Sequence, residues 1–441
     1  MKTRFGGIAV AILSLVTVLF AQYSGTQPQP RADRLPPPGN GTRAFSKIVP
    51  KPDGFMPKVP PGFAISLYAE LQAPRMMVYA PNGDLFVSSP ASNNITVFRD
   101  PKNNGVFEKK AVFVKGTHTM DGMTGQAPRG AARGAAAPAC VPPPPFAVKG
   151  RGMIEDPFGM AFHDGYLYIG NTGSIVRYRY TNGDLEARGE PEKLIDLPVG
   201  GHTTRNIIFN RAGTKMYVTV GSGSNNDAGE DCRRATILEF NPDGSGYRIY
   251  ASGLRNAVGV SLQPGTDVLW AAVNERDNYG DDLPPDFATS IKEGGFYGWP
   301  YSYIGKNYDP RYVGASPDLV NRAIIPDVLI SAHSAPLGMT FYAETQFPAH
   351  YHNGAFVASH GSWNRSVAAG YKVMFFPMTN GNPGPIEDFV TGFLASDGSN
   401  GTSVRAWGRP VGVTVSRDGG LLISDDAGNR IWKVVATKSG N

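Results

Sequence analysis

The chain has 441 residues, of which 41% are hydrophobic and 18% are charged. The hydrophobic content supplies a core, and the low charge argues against a coiled coil or a charged tail. The 54 glycines and 37 prolines make up about a fifth of the chain, above the usual share of about 12%. These values favour a turn-rich β protein over a helical one. The net charge of +5 comes from scattered basic residues, which argues against nucleic-acid binding.

The N-terminus has the pattern of a secretory leader. Lys2 and Arg4 precede an apolar run at residues 6–21, which predicts a signal peptide over residues 1–21 and a periplasmic or secreted protein. The run is shorter than the roughly 20 residues of a spanning helix, so an uncleaved anchor is the weaker alternative and we expect no stable membrane insertion. In an oxidising compartment Cys140 and Cys232 either form one disulfide or remain two separate thiols.

Two segments lack hydrophobic periodicity. Residues 22–62 are rich in proline and predict an extended linker or a wrapping arm, and residues 117–150 predict a loop insertion. Elsewhere one unit recurs, in which a turn containing glycine is followed by an apolar strand and a small or polar cluster. The six copies are residues 82–88, 164–170, 212–218, 264–270, 353–359 and 418–424.

A further strand precedes most of these copies, and a third often follows. Six such units predict an all-β chain folded as a six-bladed β-propeller over residues 63–437, because radial packing covers the faces and edges that each sheet leaves open alone. A β-sandwich or several β domains is the alternative. We expect residues 63–70 to close the ring beside the last unit, and the best short helix candidate is residues 285–292.

Loops that enter the inner strands of a propeller line a central pocket, so their polar residues are candidates for chemistry. His202 is either a base or a structural histidine. Arg255 offers a guanidinium that binds a carboxylate or polarises a carbonyl oxygen, or it forms a salt bridge between blades. Arg409 enters another inner strand in the same way. Two such arginines near the axis need an anionic partner, because an unpaired buried charge is costly.

Residues 274–282 contain four carboxylates that repel one another unless cations offset them. This loop is therefore either a Ca²⁺ site or a solvated acidic loop. The aromatic residues of segment 294–301 either stack on a flat ligand or fill an interface between blades. Segment 359–365, which contains His360, follows another repeated strand.

Together these segments resemble the quinoprotein sugar dehydrogenases, the soluble aldose, sorbosone and pyranose dehydrogenases that use pyrroloquinoline quinone (PQQ). The resemblance runs from about residue 60 to residue 437, and the sorbosone-dehydrogenase-like branch is the most similar. Its most specific segments are 253–259, 274–282, 294–301, 360–365 and 408–426. It implies a six-bladed propeller with PQQ across the central pocket and Ca²⁺ beside it.

The resemblance also implies roles for single residues. His202 matches the base that removes the proton of a sugar hydroxyl while a hydride passes to the quinone, and Arg255 matches the arginine that polarises the quinone oxygen. The further implied contacts are Asn256, Asp282, His360 and Arg409 for the cofactor, and the backbone carbonyls of Asp277 and Asn278 for Ca²⁺. Gly201 stands where glucose-oxidising relatives carry an aspartate, so His202 either lacks a carboxylate partner or takes one from another loop.

The expected function is PQQ-dependent oxidation of a sugar or a related alcohol or aldehyde. The sequence contains no C-x-x-C-H haem site, so electrons must pass to a separate acceptor, a cytochrome or a quinone. One alternative is a Ca²⁺-dependent propeller lactonase or other hydrolase, which needs metal ligands from several blades. Another is a non-catalytic propeller that binds carbohydrate or a protein.

Overall fold

The computed structural model describes residues 29–102, 107–116 and 150–437. The predicted signal peptide and almost all of the predicted insertion lie outside these residues, as does Cys140. Strands make up nearly all of the regular secondary structure of the described residues, which otherwise contain one short α-helix, α1 (Pro317–Asn321), and 3₁₀ turns at Pro90–Ser92, Ala349–Tyr351 and Ser399–Gly401. No helix in these ranges is long and apolar enough to cross a membrane.

The strands are numbered in chain order. Those of the first half are β1 (Lys47–Ile48), β2 (Phe63–Glu70), β3 (Met77–Tyr79), β4 (Leu85–Ser89), β5 (Asn94–Arg99), β6 (Lys109–Lys115), β7 (Gly150–Arg151), β8 (Met160–His163), β9 (Tyr166–Gly170), β10 (Ser174–Arg179), β11 (Glu192–Asp196), β12 (Ile207–Phe209), β13 (Met216–Val220), β14 (Thr236–Phe240) and β15 (Arg248–Ser252). Those of the second half are β16 (Asn256–Leu262), β17 (Leu269–Asn274), β18 (Asp286–Ser290), β19 (Ser302–Tyr303), β20 (Asn307–Tyr308), β21 (Val328–Ile330), β22 (Pro336–Phe341), β23 (Ala355–Ser359), β24 (Lys372–Phe376), β25 (Met378–Thr379), β26 (Asn382–Pro383), β27 (Glu387–Val390), β28 (Leu394–Asp397), β29 (Val404–Ala406), β30 (Pro410–Val415), β31 (Leu421–Asp425) and β32 (Arg430–Ala436).

Six antiparallel sheets of four or five strands contain most of the described strands. Their orders are β3-β4-β5-β6, β7-β11-β10-β9-β8, β12-β13-β14-β15, β16-β17-β18-β21, β22-β23-β24-β27 and β2-β32-β31-β30. We count the strands of the six sheets from β3, β8, β12, β16, β22 and β30, respectively. The second strand of each sheet, counted in this way, overlaps one of the six repeated units of the sequence. Smaller sheets are β1-β29-β28, β19-β20 and β25-β26.

The first strands of the six sheets contact one another in a closed cycle, in the order β3, β8, β12, β16, β22, β30 and back to β3. Glycine permits the close approach: a Cβ at Gly259 would lie 2.4 Å from the Leu337 carbonyl oxygen, and one at Gly338 would lie 2.4 Å from that of Val411. An apolar cluster of Phe158, Val258, Leu337 and Val411 lies where these strands meet. The sheets therefore form a propeller-like ring with an apolar centre.

The ring is closed as expected, because β2 pairs antiparallel with β32 and so adds an N-terminal strand to the last sheet. The helix predicted at residues 285–292 is wrong. Those residues form β18, whose Asp286 pairs with Ile330 of β21. All five residues of β18 are buried although only Phe287 and Ala288 are apolar, so the segment has no hydrophobic periodicity that would distinguish a strand from a helix.

The described part of the proline-rich segment runs across the loops of the later sheets. Strand β1 pairs in parallel with β29. Before it, Gly39 N donates to Tyr279 O and Ala44 N donates to Trp363 O, each at 2.8 Å. Phe45 also stacks on Trp363, with ring centroids 5.3 Å apart. We call residues 29–61 the N-terminal arm.

Candidate functional site

Two groups of polar side chains lie near the starts of the first strands. The His202 cluster comprises His202, Ser222, Arg255, Asn256 and Asp277. The Arg409 cluster comprises Arg409, His360, Asp426 and Arg75. The structure thus brings together six of the eight residues singled out by the sequence analysis, in two groups.

His202 is held by Ser222, which follows β13. The His202 backbone N donates to the Ser222 carbonyl oxygen at 3.0 Å. The ring Nδ1 lies 2.9 Å from the same oxygen and 3.1 Å from Ser222 Oγ. Because a carbonyl oxygen only accepts hydrogen bonds, Nδ1 carries the ring proton and Nε2 keeps its lone pair. Nε2 is therefore the ring atom that can take up a proton.

The surroundings of His202 keep its ring uncharged. Burial and the nearby charge of Arg255 lower the pKa of His202 to about 3, although Ser222 and Asp277 act in the opposite direction. The residue is only partly exposed. A histidine that is neutral at pH 7 is in the protonation state that a general base requires.

Arg255 connects three loops of the site. Its Nε donates to Asn225 O at 3.0 Å, and its Nη1 donates to Glu275 O at 2.6 Å. Its Nη2 donates to Asn225 Oδ1 at 3.0 Å and to Asp277 Oδ2 at 3.1 Å. The Arg255 carbonyl oxygen accepts a 2.7 Å bond from Ser222 N, which fixes it beside the segment that holds His202. The guanidinium is thus 5% exposed and set in one orientation.

Asn256 begins β16 next to His202. Its Oδ1 is buried and has no hydrogen-bond partner among the described residues. A Cβ at Gly221 would lie 2.3 Å from this Oδ1 and 2.7 Å from His202 Cβ, so only glycine fits between the two side chains. Since an unpaired buried polar atom is costly, Asn256 presents hydrogen-bonding capacity that the protein itself does not use.

Asp277 lies between two cationic groups. Its Oδ2 is 3.1 Å from Arg255 Nη2, and its Oδ1 is 3.5 Å from His333 Nδ1. Burial opposes ionisation of Asp277, but the bond to His333 and the charge of Arg255 outweigh it, so the pKa lies below its usual value. Burial likewise opposes protonation of His333, but its contacts with Asp277 and Gly280 O raise its pKa.

Asn278 follows in left-handed backbone conformation, with φ of 73°. Its N donates to Asn364 Oδ1 at 2.7 Å, and Asn364 Nδ2 donates to Thr42 O of the arm at 2.9 Å. A Cβ at Gly41 would lie 2.6 Å from Asn278 Cα. The arm therefore packs directly on the backbone of the loop predicted to bind Ca²⁺.

Each carboxylate of that acidic loop has a partner from the protein. Glu275 Oε2 is 3.0 Å from Arg276 Nε, and Arg276 Nη1 is 2.7 Å from Asp309 Oδ2, with all three side chains fully buried. Asp282 Oδ1 is 2.6 Å from Arg365 Nη2. Arginines thus pair with Glu275, Asp277 and Asp282 of the loop for which the sequence left a Ca²⁺ site and a solvated acidic loop as the alternatives. Asp282 itself is exposed and belongs to neither cluster.

The Arg409 cluster surrounds one carboxylate. Asp426 Oδ1 is 2.9 Å from His360 Nε2, and Oδ2 is 2.7 Å from Arg75 Nη2. Arg409 donates from Nε to His360 O and from Nη2 to Gly361 O, each at 2.9 Å. Burial and the charge of Arg409 lower the pKa of His360 to about 4, although Asp426 opposes this. The neutral His360 leaves two arginines facing one carboxylate.

The loop that enters β22 connects the two clusters. His333 contacts Asp277 of the first. Ala335 O accepts a 2.9 Å bond from His360 N of the second. His333 and Ala335 both have left-handed backbone conformation, with φ of 63° and 54°. One strained loop therefore sets the positions of both clusters relative to each other.

The aromatic segment 294–301 serves mainly to fill space. Phe296, Tyr297 and Trp299 are buried. Trp299 Nε1 donates at 2.9 Å to Asn225 O, which also accepts from Arg255. Between the two alternatives of the sequence analysis, the structure supports packing, with one polar contact to the site.

Five further residues of the site were not predicted from the sequence: His333, Ser222, Asn225, Arg75 and Asp426. His333 and Arg75 could have been predicted, because each precedes the first strand of a sheet, as His202 and Arg255 do. Ser222 and Asn225 lie in the loop after β13, where no residue type indicates a site. Asp426 lies within a segment of the resemblance, but its partners come from distant parts of the chain.

A metal held by several side chains is not found among the described residues, which contain no group of three or more His, Cys, Asp or Glu able to bind one. The positions where the first strands meet are apolar.

Comparison with known families and proteins gives a consistent result. The glucose/sorbosone dehydrogenase family model matches residues 171–362, and the TrAA12-like model matches residues 319–437. An uncharacterised protein of Borreliella burgdorferi is 31% identical over 302 residues, which cover 65% of this chain and 77% of that protein.

Two relatives with described activities are more distant. The aldose sugar dehydrogenase YliI of Escherichia coli is 24% identical over 202 residues, which cover 41% of this chain and 52% of YliI. The pyrroloquinoline quinone-dependent pyranose dehydrogenase of Coprinopsis cinerea is 27% identical over 305 residues, which cover 54% of this chain and 40% of the enzyme. The chain therefore spans about half or less of each.

Solved structures share the fold. The iodide structure of a Trichoderma reesei enzyme of family AA12 has a TM-score of 0.67 at 18% identity and covers 89% of this chain and 100% of that one. The holo PQQ domain of the Coprinopsis cinerea pyranose dehydrogenase has a TM-score of 0.66 at 20% identity, with coverages of 89% and 100%. The PQQ-bound aldose sugar dehydrogenase of Streptomyces coelicolor has a TM-score of 0.52 at 17% identity, with coverages of 86% and 99%.

Proposed function

The chain belongs to the glucose/sorbosone dehydrogenase family, and we propose that it oxidises a sugar or a related alcohol or aldehyde with PQQ as its cofactor. Its six large sheets are then the blades of a six-bladed propeller with the site at one end of the ring. The observation that carries this proposal is His202, whose neutral ring is fixed through Nδ1 with Nε2 left free beside Arg255 and Asn256.

The residues present fit a planar tricarboxylate. Arg75 pairs with Asp426, whereas the Arg409 guanidinium donates to the carbonyl oxygens of His360 and Gly361 and forms no salt bridge with a carboxylate among the described residues. Asn256 has an unused buried Oδ1 on the other side of the site. Arg409 and His360 would hold carboxylate groups of PQQ, and Arg255 and Asn256 would hold its quinone end.

Ca²⁺ fits this site only through backbone oxygens. Both carboxylate oxygens of Asp277 face cationic groups, Arg255 and His333. The Asp277 carbonyl oxygen accepts one 3.0 Å bond from Asn225 Nδ2 and retains a second lone pair. The carbonyls of Asp277 and Asn278 would therefore bind Ca²⁺ together with oxygens of the cofactor. Asp282 would act only as an acidic neighbour, because it is paired with Arg365.

PQQ, when bound, supplies an electrophilic carbon that accepts a hydride. His202 Nε2 takes the proton of the substrate hydroxyl, and the carbon that carries this hydroxyl loses its hydrogen with the electron pair. The substrate thereby becomes a carbonyl compound or a lactone, and its two electrons leave later to a separate acceptor, a cytochrome or a quinone. Arg255 stays fixed by its four hydrogen bonds, so its positive charge would keep one position beside the bound quinone.

The predicted leader at residues 1–21 supports a periplasmic or secreted location for this chemistry. Cys232 is disulfide-bonded, which suits an oxidising compartment. The other cysteine of the sequence, Cys140, lies outside the described residues.

The test is reconstitution of the purified apoprotein with PQQ and Ca²⁺. We expect a change in the quinone absorbance on binding, loss of binding when Ca²⁺ is chelated, and reduction of a redox dye with at least one member of a panel of aldoses, ketoses and polyols. His202→Asn should keep quinone binding and lose roughly a hundredfold or more in kcat. A well-folded protein that binds no quinone would refute the proposal, and lactone hydrolysis without quinone would support a hydrolase.

A further inference from the structure

One peptide group lies between His202 and a carboxylate that the sequence analysis did not single out. The carbonyl oxygen of the Ser222–Gly223 peptide accepts from His202 Nδ1 at 2.9 Å. The N–H of the same peptide, at Gly223, donates to Glu230 Oε2 at 2.6 Å. The imidazole and the carboxylate are thus joined through the two ends of a single amide.

This arrangement has an electronic consequence. A negative charge that accepts a hydrogen bond from the N–H of an amide polarises that amide and increases the electron density on the amide carbonyl oxygen. This oxygen then becomes a better hydrogen-bond acceptor. The bond from His202 Nδ1–H then strengthens, which fixes the tautomer and makes Nε2 more basic. A carboxylate bonded directly to Nδ1 would have the same effect.

The backbone explains why no carboxylate precedes His202. Gly201 has φ of 63°, and a Cβ there would lie 2.3 Å from Gly223 Cα. A side chain at residue 201 would therefore collide with Gly223, whose N–H belongs to the peptide that holds the ring. Glu230 reaches that peptide from its other end.

Other contacts hold this group of residues in place. Arg205 is fully buried and donates from Nη1 to His202 O at 2.8 Å. Arg234 donates from Nη1 to Gly221 O at 3.1 Å. Burial raises the pKa of Glu230, while bonds from Ser224 and Gly223 and the charge of Arg234 oppose that rise. The charged groups that face His202 are Arg255, Asp277 and Arg205. Besides the peptide, a longer route runs from the ring to Glu230 through Ser222 Oγ and Ser224.

From this geometry we infer that Glu230 is a positioning residue for His202 and acts through the Ser222–Gly223 peptide. The inference rests on the proposed function only for the use made of Nε2; the coupling itself is a property of the apoprotein. Under this inference, Glu230 orients His202 in place of the aspartate that glucose-oxidising relatives carry at the position of Gly201.

The first test is an NMR measurement on the ¹⁵N-labelled apoprotein. In the wild type we expect a strongly downfield Gly223 amide proton and a His202 ring protonated at Nδ1. Glu230→Gln keeps an acceptor and removes the charge, so it should move the Gly223 amide upfield and raise the share of the Nε2–H tautomer. Glu230→Ala removes the acceptor and should do both more strongly.

The matched control is Glu239→Gln, which removes a largely buried carboxylate that pairs with Arg248 in the sheet containing β13. It should leave the His202 and Gly223 signals unchanged. The coupling is refuted if Glu230→Gln is folded and neither signal moves. It is also refuted if Glu230→Gln and Glu239→Gln shift the two signals equally.

The second test uses the reconstituted enzyme. Glu230→Gln should lower kcat roughly tenfold, well short of the loss in His202→Asn, with KM and quinone affinity nearly unchanged. An equal loss of quinone affinity would mean a merely structural role and would overturn the inference. If the wild type shows no turnover, the proposed function fails, whereas the NMR result still decides the coupling.

Discussion

Substitution of His202 by Asn should make the stability of the protein less sensitive to acid. Asn places its Nδ2 near the position of Nδ1 and can keep the bond to Ser222 O, but it does not titrate. The pKa of His202 is about 3 in the folded protein, against about 6.5 in an unfolded chain. Its folded pKa is depressed, so the stability that it contributes is present above pH 6.5 and is lost as pH falls.

The magnitude follows from proton uptake. Between pH 7 and pH 5 the unfolded histidine binds a proton that the native one does not, which lowers the free energy of unfolding by about 2 kcal/mol. This value does not depend on the exact folded pKa as long as that pKa lies below about 4.5. Asp286, whose pKa burial raises to about 7, titrates in the same range, but it is present in both proteins and cancels in the difference.

The assay is urea unfolding followed by tryptophan fluorescence at pH 7 and pH 5. The wild type should lose about 2 kcal/mol more than His202→Asn between the two pH values. Ser222→Ala removes the 3.1 Å contact of Oγ with the ring and its 2.6 Å bond to Ser224 O but keeps the Ser222 carbonyl oxygen, so it should retain the wild-type loss. If His202→Asn loses as much as the wild type, native His202 takes up its proton in this range and the argument for a neutral base fails.

Two further substitutions test the loop that carries Asp277 and Asn278. Asp277→Asn leaves buried Arg255 with neutral acceptors only, and should lower the free energy of unfolding by roughly 3 kcal/mol in urea titrations; an unchanged value would contradict the charge pairing. Gly41→Ala places a Cβ 2.6 Å from Asn278 Cα, whereas Gly39→Ala meets nothing closer than 3.7 Å. Limited proteolysis should therefore cleave the arm faster in the first variant only, and equal rates would contradict the packing.

The architecture was predictable because its signal is repeated. Each of the six units places a glycine turn before a buried strand, so errors in one unit are corrected by the others. The wrongly predicted β18 shows that a segment outside the repeated units cannot be corrected in this way. Its five buried residues have neither alternation nor helical period, and the hydrogen bonds from β17 and β21 decide its structure.

Residues of the site were predictable only where their position within a repeated unit indicates that they enter the pocket. His202 and Arg255 precede first strands, so their role follows from the unit itself. Glu230 and Asp426 do not precede a first strand, so no position within a unit indicates their role. Glu230 lies in the long loop between β13 and β14, and its importance arises from a single bond to Gly223 that no sequence pattern specifies.

The acidic loop shows how charge compensation changes the interpretation of the site. Its carboxylates suggested a cation, but Arg255, Arg276 and Arg365 already pair with Asp277, Glu275 and Asp282. On the other side of the loop that enters β22, Arg75 pairs with Asp426, whereas the Arg409 guanidinium is bonded to backbone carbonyl oxygens and pairs with no carboxylate among the described residues. A polyanionic cofactor should therefore direct its carboxylates towards Arg409 and leave its uncharged end beside His202. His202 stays neutral beside that end, because burial and the charge of Arg255 lower its pKa, and its Nε2 is able to accept a proton there.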